Sequence, residues 1–381
     1  MAIPSSNNKT ALITGINGYI ASVLGFQLLQ AGYSIRGTTR RISSAEPLLK
    51  GPYAPYIDRV KIYEVPDMTI AGAFDEAVKG KSQFPHPPHS PHSQCVNGIF
   101  HTASPIDFSL KTYAQMVTPA IDGTNTLLYS SLKAGPQLKA VVITSSVIAA
   151  VDPRTDPYTF TESDFATSYL TQAQKDLQEN RPSSAGILYA ASKSAAESAV
   201  WKFRSEKSPS FALSTINPAF VTGPPVSLPE TGEKLNETLK PIYNMLSGAT
   251  KTISPASGTG SSVDVRDVAY MHIWAYEHPE KSDGERYIAC LGTGPPQAQA
   301  DILREYFKEK GDEKALEKIV VGNPGEDYVG YNKETGKVES VESTPERPRV
   351  SGEKAQREMG FRFRSFKESV IDTAEALRPL L

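Results

Sequence analysis

Thr14-Gly15-Ile16-Asn17-Gly18-Tyr19-Ile20-Ala21 is the stretch on which the fold turns. It follows Thr10–Thr14, a short run that reads as a buried strand. It opens a helical pattern over 19–31, with Val23, Leu24, Gln27, Leu28 and Ala31 at helical spacing and Gly32 as the stop. A strand, a Gly-x-x-Gly-x-x-Ala turn and a helix together can hold the pyrophosphate of a dinucleotide. Gly15 permits the sharp turn, Gly18 lets the backbone approach the phosphates, and Ala21 lets the helix pack closely on the strand. The helix N-terminus adds free N–H groups and a partial positive charge.

Outward from this loop, short apolar runs alternate with helical patterns. Ser34–Thr39, 60–65, 98–103, 140–145 and 213–217 read as further strands, and 118–133 and 168–179 as helices. Continuous apolar strands separated by helices predict an α/β fold, a Rossmann-type doubly wound parallel sheet covered on both faces. After Asn217 the chain becomes proline-rich and loses its rhythm. Helices are predicted at 238–246, 298–308, 352–359 and 366–376, with a strand and helix start at 262–268, a helix over 270–276 and a strand at 286–289. The region 309–349 is polar and poorly patterned. The predicted organisation is a dinucleotide-binding domain over 1–217, rejoined by 262–289, and a smaller, mostly helical substrate-binding domain from 218–261 and 290–381.

The formal net charge of -2 argues against nucleic acid as a partner, because phosphate backbones select basic surfaces. The polar start and the lack of a long apolar run predict neither a signal peptide nor a membrane partner. The two cysteines, Cys95 and Cys290, are far apart, which predicts a cytoplasmic protein without a disulfide framework. Residues 83–94 carry four prolines and place His86, His89 and His92 at every third position. With no carboxylate ligand close by, this reads as an exposed loop rather than a metal site. The long polar segment 151–187 has the character of a functional loop.

The end of the second strand discriminates between cofactors. An acid there would bind the ribose 2′-hydroxyl. The sequence instead reads Thr38-Thr39-Arg40-Arg41, and Arg40 is placed to fork onto a 2′-phosphate, predicting NADPH/NADP+. Arg36 alternates to the opposite face and is unassigned. Further on, Tyr189 and Lys193 stand at i and i+4 on one helical face. An ammonium near a phenol favours the phenolate and is expected to lower its pKa from ~10. Such a phenol can give a proton to a carbonyl oxygen as hydride reaches the carbon. Two serines, Ser145 and Ser146, compete to hold that oxygen at the end of the fifth strand.

These segments, with His101-Thr-Ala-Ser-Pro105, Thr144-Ser-Ser146, Tyr189-Ala-Ala-Ser-Lys193, Asn217-Pro-Ala-Phe-Val-Thr-Gly-Pro224 and Val263-Asp-Val-Arg-Asp-Val-Ala269, resemble the extended short-chain dehydrogenases/reductases. Within that family the chain is similar to the group of plant dihydroflavonol 4-reductases and cinnamoyl-CoA reductases, and more so to fungal aldehyde and ketone reductases of the yeast methylglyoxal/isovaleraldehyde reductase type. The resemblance implies an NADPH-dependent carbonyl reductase acting on a small-molecule aldehyde or ketone. It implies Ser146, Tyr189 and Lys193 as the catalytic set, with Ser145 structural and Lys193 also reaching the nicotinamide ribose. Cofactor contacts are implied for Gly15, Asn17, Gly18, Tyr19, Ile20, Arg40, Asp67, Met68, Thr102, Ala103, Ser104, Pro218 and Val221, Asp67 being the adenine contact. Substrate contacts are implied for Ser104, Phe108, Val147, Phe160, Phe220 and Tyr243. Relatives are monomers or homodimers.

Two other functions fit the same fold. An epimerase or dehydratase would keep its cofactor bound and favours an acid at the second strand end, which this chain lacks. An NADP(H)-sensing regulator would dispense with the tyrosine or the lysine, and both are present.

Overall fold

The computed structural model describes residues 3–79, 95–105, 108–256 and 258–381. The histidine-bearing loop at 83–94 falls outside them. Seven strands form one sheet: β1 (Thr10–Thr14), β2 (Ser34–Thr39), β3 (Val60–Glu64), β4 (Gly98–His101), β5 (Ala140–Thr144), β6 (Ala212–Pro218) and β7 (Arg286–Ala289). Their spatial order is β7-β6-β5-β4-β1-β2-β3. From β6 across to β3 every pairing is parallel. The chain runs outward from β1 through β2 to β3, then returns to lay β4 on the other side of β1. That reversal leaves a crevice at the carboxyl ends of β1 and β4, where ligands bind in open α/β sheets. The expected doubly wound architecture is therefore the observed one.

The strands read as near-continuous apolar runs because both sheet faces are covered. Leu12, Ile99, Val141 and Leu213 from four strands pack with Val78, Leu127, Phe203 and Phe211. Gly37 in β2 has a packing reason: a Cβ there would stand 2.7 Å from Ile16. Arg36 is wholly buried, and its guanidinium donates to the carbonyls of Ala77 and Val78 at 2.9 and 3.2 Å. It belongs to the core rather than to a binding surface.

The chain divides into two compact units. The first comprises 1–152, 162–217 and 269–287. The second comprises 153–161, 218–268 and 288–381. Residues 153–161 and 262–268, read as part of the dinucleotide domain, thus cluster with the second unit. The second unit carries the helices Lys240–Ser247, Pro296–Lys310, Glu353–Met359 and Phe366–Leu377. It also carries more strand than its sequence suggests. Phe220–Thr222, Ser261–Asp264 and Gly292–Thr293 form a three-stranded sheet, and Thr159–Phe160 pairs with Arg349–Val350.

The polar stretch before Arg349 contains a helix, Glu313–Lys318, and an antiparallel hairpin, Val329–Asn332 with Lys337–Glu342. The hairpin is weakly patterned because it is held by polar contacts. Val338 N–H donates to Glu305 at 3.0 Å, and Asn332 Oδ1 closes the turn by accepting from Glu334 and Thr335 N–H, both at 3.0 Å. In the first unit the helix Tyr113–Ser131 begins five residues before the predicted start at 118 and runs through Pro119. Proline favours a first turn, which pulls a sequence reading toward it. No helix among the described residues is long and apolar enough to cross a membrane.

Candidate active site

At the carboxyl end of β1, Gly15 adopts φ +64, and a Cβ on it would lie 3.2 Å from the Cβ of Ala103. The backbones of the glycine loop and of the segment after β4 approach closely here, and glycine is what allows it. Thr14 ties the two together. Its hydroxyl accepts from Thr102 and Ala103 N–H at 3.1 and 3.0 Å, which leaves its own proton for His101 Nδ1 at 2.8 Å. Thr102 returns a hydrogen bond to the Thr14 carbonyl. His101 is buried, and burial with a contribution from the charge of Lys193 pushes its pKa down to about 3. It is a neutral, positional histidine.

Gly18 caps the helix Tyr19–Gln30 without a side-chain acceptor, and the first turn holds no acid. The N–H groups of a helix's first turn have no intrahelical acceptor, an arrangement that suits a pyrophosphate. Asn17 is exposed and oriented by Thr39, whose hydroxyl donates to Asn17 Oδ1 at 3.1 Å. Tyr19 and Ile20 are partly exposed. Arg40 lies exposed just past β2. Asp67 is also exposed. Hydrogen bonds from the Thr69 hydroxyl and N–H hold its carboxyl below the usual range, and the positive charge of Arg40 adds to the effect. Arg40 and Asp67 therefore share one patch beyond the β2 end. Met68 differs from expectation: its side chain covers Gly123 and packs on the core, because a Cβ at Gly123 would meet its methyl at 2.3 Å. These residues fit a dinucleotide with a 2′-phosphate.

At the end of β5 the two serines separate by strand alternation. Ser146 neighbours the Tyr189 phenol, whereas Ser145 donates to Glu197. Tyr189 and Lys193 lie one turn apart on the helix Ala185–Lys207, which Ser184 caps by accepting from Ile187 N–H at 3.3 Å. Lys193 is 7% exposed, and burial brings its pKa down to about 8, opposed by the nearby Glu197 carboxylate. Tyr189 departs from the expected direction. Burial raises its pKa, and the neighbouring Ser146 hydroxyl acts against that rise. Desolvation of the phenolate outweighs the attraction expected from the ammonium. The ring of Phe108 lies 5.6 Å from that of Tyr189. Ser104 and Val147 are partly exposed.

The first unit thus brings together Gly15, Asn17, Gly18, Thr102, Ala103, Ser146, Tyr189 and Lys193 around the ends of β1, β4 and β5. Pro218, Val221, Phe160, Phe220 and Tyr243 belong to the second unit. There Phe160 is 4% exposed, its ring 4.8 Å from Tyr158, so it packs inside its small sheet instead of lining an open surface. Tyr243 lies over Gly232, where a Cβ would clash at 2.0 Å, and its hydroxyl reaches the Leu380 carbonyl at 3.4 Å. Phe220 is exposed and Val221 is buried.

The sequence reading missed the residues beneath the serines. Glu197 accepts from Ser145, from Asn217 Nδ2 at 2.6 Å, from Trp201 Nε1 at 3.2 Å and from Arg286 Nε at 2.5 Å. Asn217 Nδ2 also donates to the Ser146 carbonyl at 3.1 Å. The available signal was the second i+4 step, Tyr189, Lys193, Glu197, which puts three polar groups on one helical face.

Known proteins are similar to this chain over much or nearly all of its length. A cinnamoyl-CoA reductase of Medicago truncatula is 31% identical over 355 residues, covering 90% of this chain and 94% of that protein. Aldehyde reductase 2 of Sporidiobolus salmonicolor is 37% identical over 214 residues, 56% of this chain and 57% of that protein. The crystal structure of yeast methylglyoxal/isovaleraldehyde reductase complexed with NADPH superposes with a TM-score of 0.74 at 27% identity, covering 98% of this chain and all of that one (100%). The NAD dependent epimerase/dehydratase family matches residues 11–290, from β1 to just past β7. The chain belongs to that family, the extended short-chain dehydrogenases/reductases.

Proposed function

We propose that this protein is an NADPH-dependent carbonyl reductase that converts an aldehyde or ketone to the alcohol, with Tyr189 as the proton donor. The observation that carries the reading is the Tyr189 phenol beside the Ser146 hydroxyl, set one helical turn from a buried Lys193. When bound, NADPH supplies the hydride that reaches the carbonyl carbon. Tyr189 Oη gives its proton to the carbonyl oxygen, and the Ser146 hydroxyl holds that oxygen in place. A phenol whose pKa is raised by burial stays protonated at neutral pH and is ready to donate. Lys193 stabilises the phenolate left behind, and a proton from solvent restores the phenol. Phe108 beside the Tyr189 ring favours an apolar group next to the carbonyl.

The glycine loop, Thr102, Ala103 and Ser104 hold the cofactor in this reading, with Arg40 on the 2′-phosphate and Asp67 on the adenine. Pro218 and Val221 as nicotinamide contacts, and Phe220 and Tyr243 as substrate contacts, rest on the family resemblance alone, as does the second unit's role in substrate binding. A cytoplasmic location agrees with two cysteines that are both free thiols, the Cys290 thiol being pushed up to about 12 by burial. Consumption of NADPH in the presence of a carbonyl panel tests the reading. Tyr189→Phe is expected to slow turnover by about 10²–10⁴-fold while NADPH still binds. A folded wild-type protein that turns over no carbonyl, or a Tyr189→Phe variant as fast as wild type, would reject it.

A further inference from the structure

We propose that Glu197 is a positioning residue for the Ser146–Tyr189–Lys193 set: it supplies the counter-charge for Lys193 and fixes the turn that carries Ser146. The inference rests on the reductase reading for its catalytic meaning and on geometry for everything else. Glu197 is 3% exposed, and its two oxygens take four donors. Ser145 comes from the end of β5, Asn217 from β6, Arg286 from β7 and Trp201 from the same helix. The Asn217 amide bridges from the carboxylate to the backbone carbonyl of Ser146, and its own Oδ1 accepts from Thr215 Oγ1 at 2.9 Å. Three strand ends are thus tied to one carboxylate directly below the catalytic turn.

Arg286 extends the network. Its Nη1 donates to the carbonyls of Glu162 and Asp164 at 2.7 and 2.5 Å, and its Nη2 to Ala149 at 3.3 Å. The guanidinium also lies 4.0 Å over the Phe165 ring. The carboxylate is therefore locked in position while it stands one turn from Lys193. A buried ammonium needs such a partner to stay charged. The other titratable groups near Lys193 are Tyr189 on the same helix, Arg286 across the Glu197 carboxylate and His101 on β4. His101 stays neutral and offers no charge.

Glu197→Gln keeps the shape and removes the charge. With 13Cε-lysine labelling, and the Lys193 signal assigned by its loss in Lys193→Arg, the titration midpoint of Lys193 is expected to fall by about one pH unit. Turnover is expected to drop by about tenfold, most steeply toward alkaline pH, with NADPH still bound. The double variant Glu197→Gln/Arg286→Met removes both charges, so no unpaired cation is left buried, and it is expected to shift the midpoint in the same direction by a smaller amount, because the cation of Arg286 no longer repels Lys193. An unchanged Lys193 midpoint in either folded variant overturns the proposal. So does an activity loss that only follows the folded fraction, or failure of both variants to fold. If the wild type reduces no carbonyl, the reductase reading falls while the Lys193 midpoint still decides on Glu197.

Discussion

The glycine loop at 14–21 and the pocket floor around Glu197 lie in the same unit but are built from different materials. The loop is backbone: a left-handed Gly15 and a helix start at Gly18 with neither a side-chain cap nor an acid in its first turn. The floor is side chain: a buried carboxylate that gathers donors from residues 145, 201, 217 and 286. The loop stays open because its partner is an anion that arrives from solution. The floor is closed because its charges must be compensated before anything arrives. Binding and chemistry therefore respond to different perturbations.

The largest separation is expected from Arg286→Met. It leaves the Glu197 carboxylate buried without its cation, and loss of one partner of such a pair costs about 3–5 kcal/mol. A urea or thermal unfolding curve should show it, and a midpoint equal to wild type would mean that the floor carries no such charge pair. A smaller and different effect is expected from Arg40→Ala on the cofactor side. A hydrogen bond to a charged group is worth about 1.5–3 kcal/mol. NADPH should then bind at least tenfold more weakly, with NADH binding and unfolding midpoint unchanged. Equal weakening of both cofactors in a fluorescence titration would remove the 2′-phosphate assignment. The smallest is Gly15→Ala. A left-handed backbone costs an alanine about 1–2 kcal/mol, and the neighbouring Ala103 must yield. Affinity for NADPH and NADH should fall together, while Lys193 titrates as before.

The same contrast explains what could be read from the sequence. Glycine turns and buried strands act over a few residues, so β1, β2 and the loop between them carry their own signal. Tyr189 and Lys193 were legible because helical spacing joins them. Ser146 was separable from Ser145 only by family position until the structure showed one hydroxyl at Tyr189 and the other at Glu197. Glu197, Asn217 and Arg286 act together across long separations, and no local pattern announces that. The direction of the Tyr189 shift was missed for a related reason. The charge of Lys193 is visible in a sequence, but the depth of burial that outweighs it is not. The hairpin over 329–342 escaped because its one well-buried side chain, Val338, leaves no alternation to detect.

The cation that completes the Glu197 cluster is encoded well after the serine, tyrosine, lysine and asparagine it supports. During synthesis at ~5–20 residues per second, the emerging chain carries the whole reactive set for several seconds before Arg286 leaves the ribosome. Over that interval the carboxylate has no guanidinium, and its burial is unfavourable. The order of translation thus supplies the counter-ion of this carboxylate only with the last strand of the main sheet.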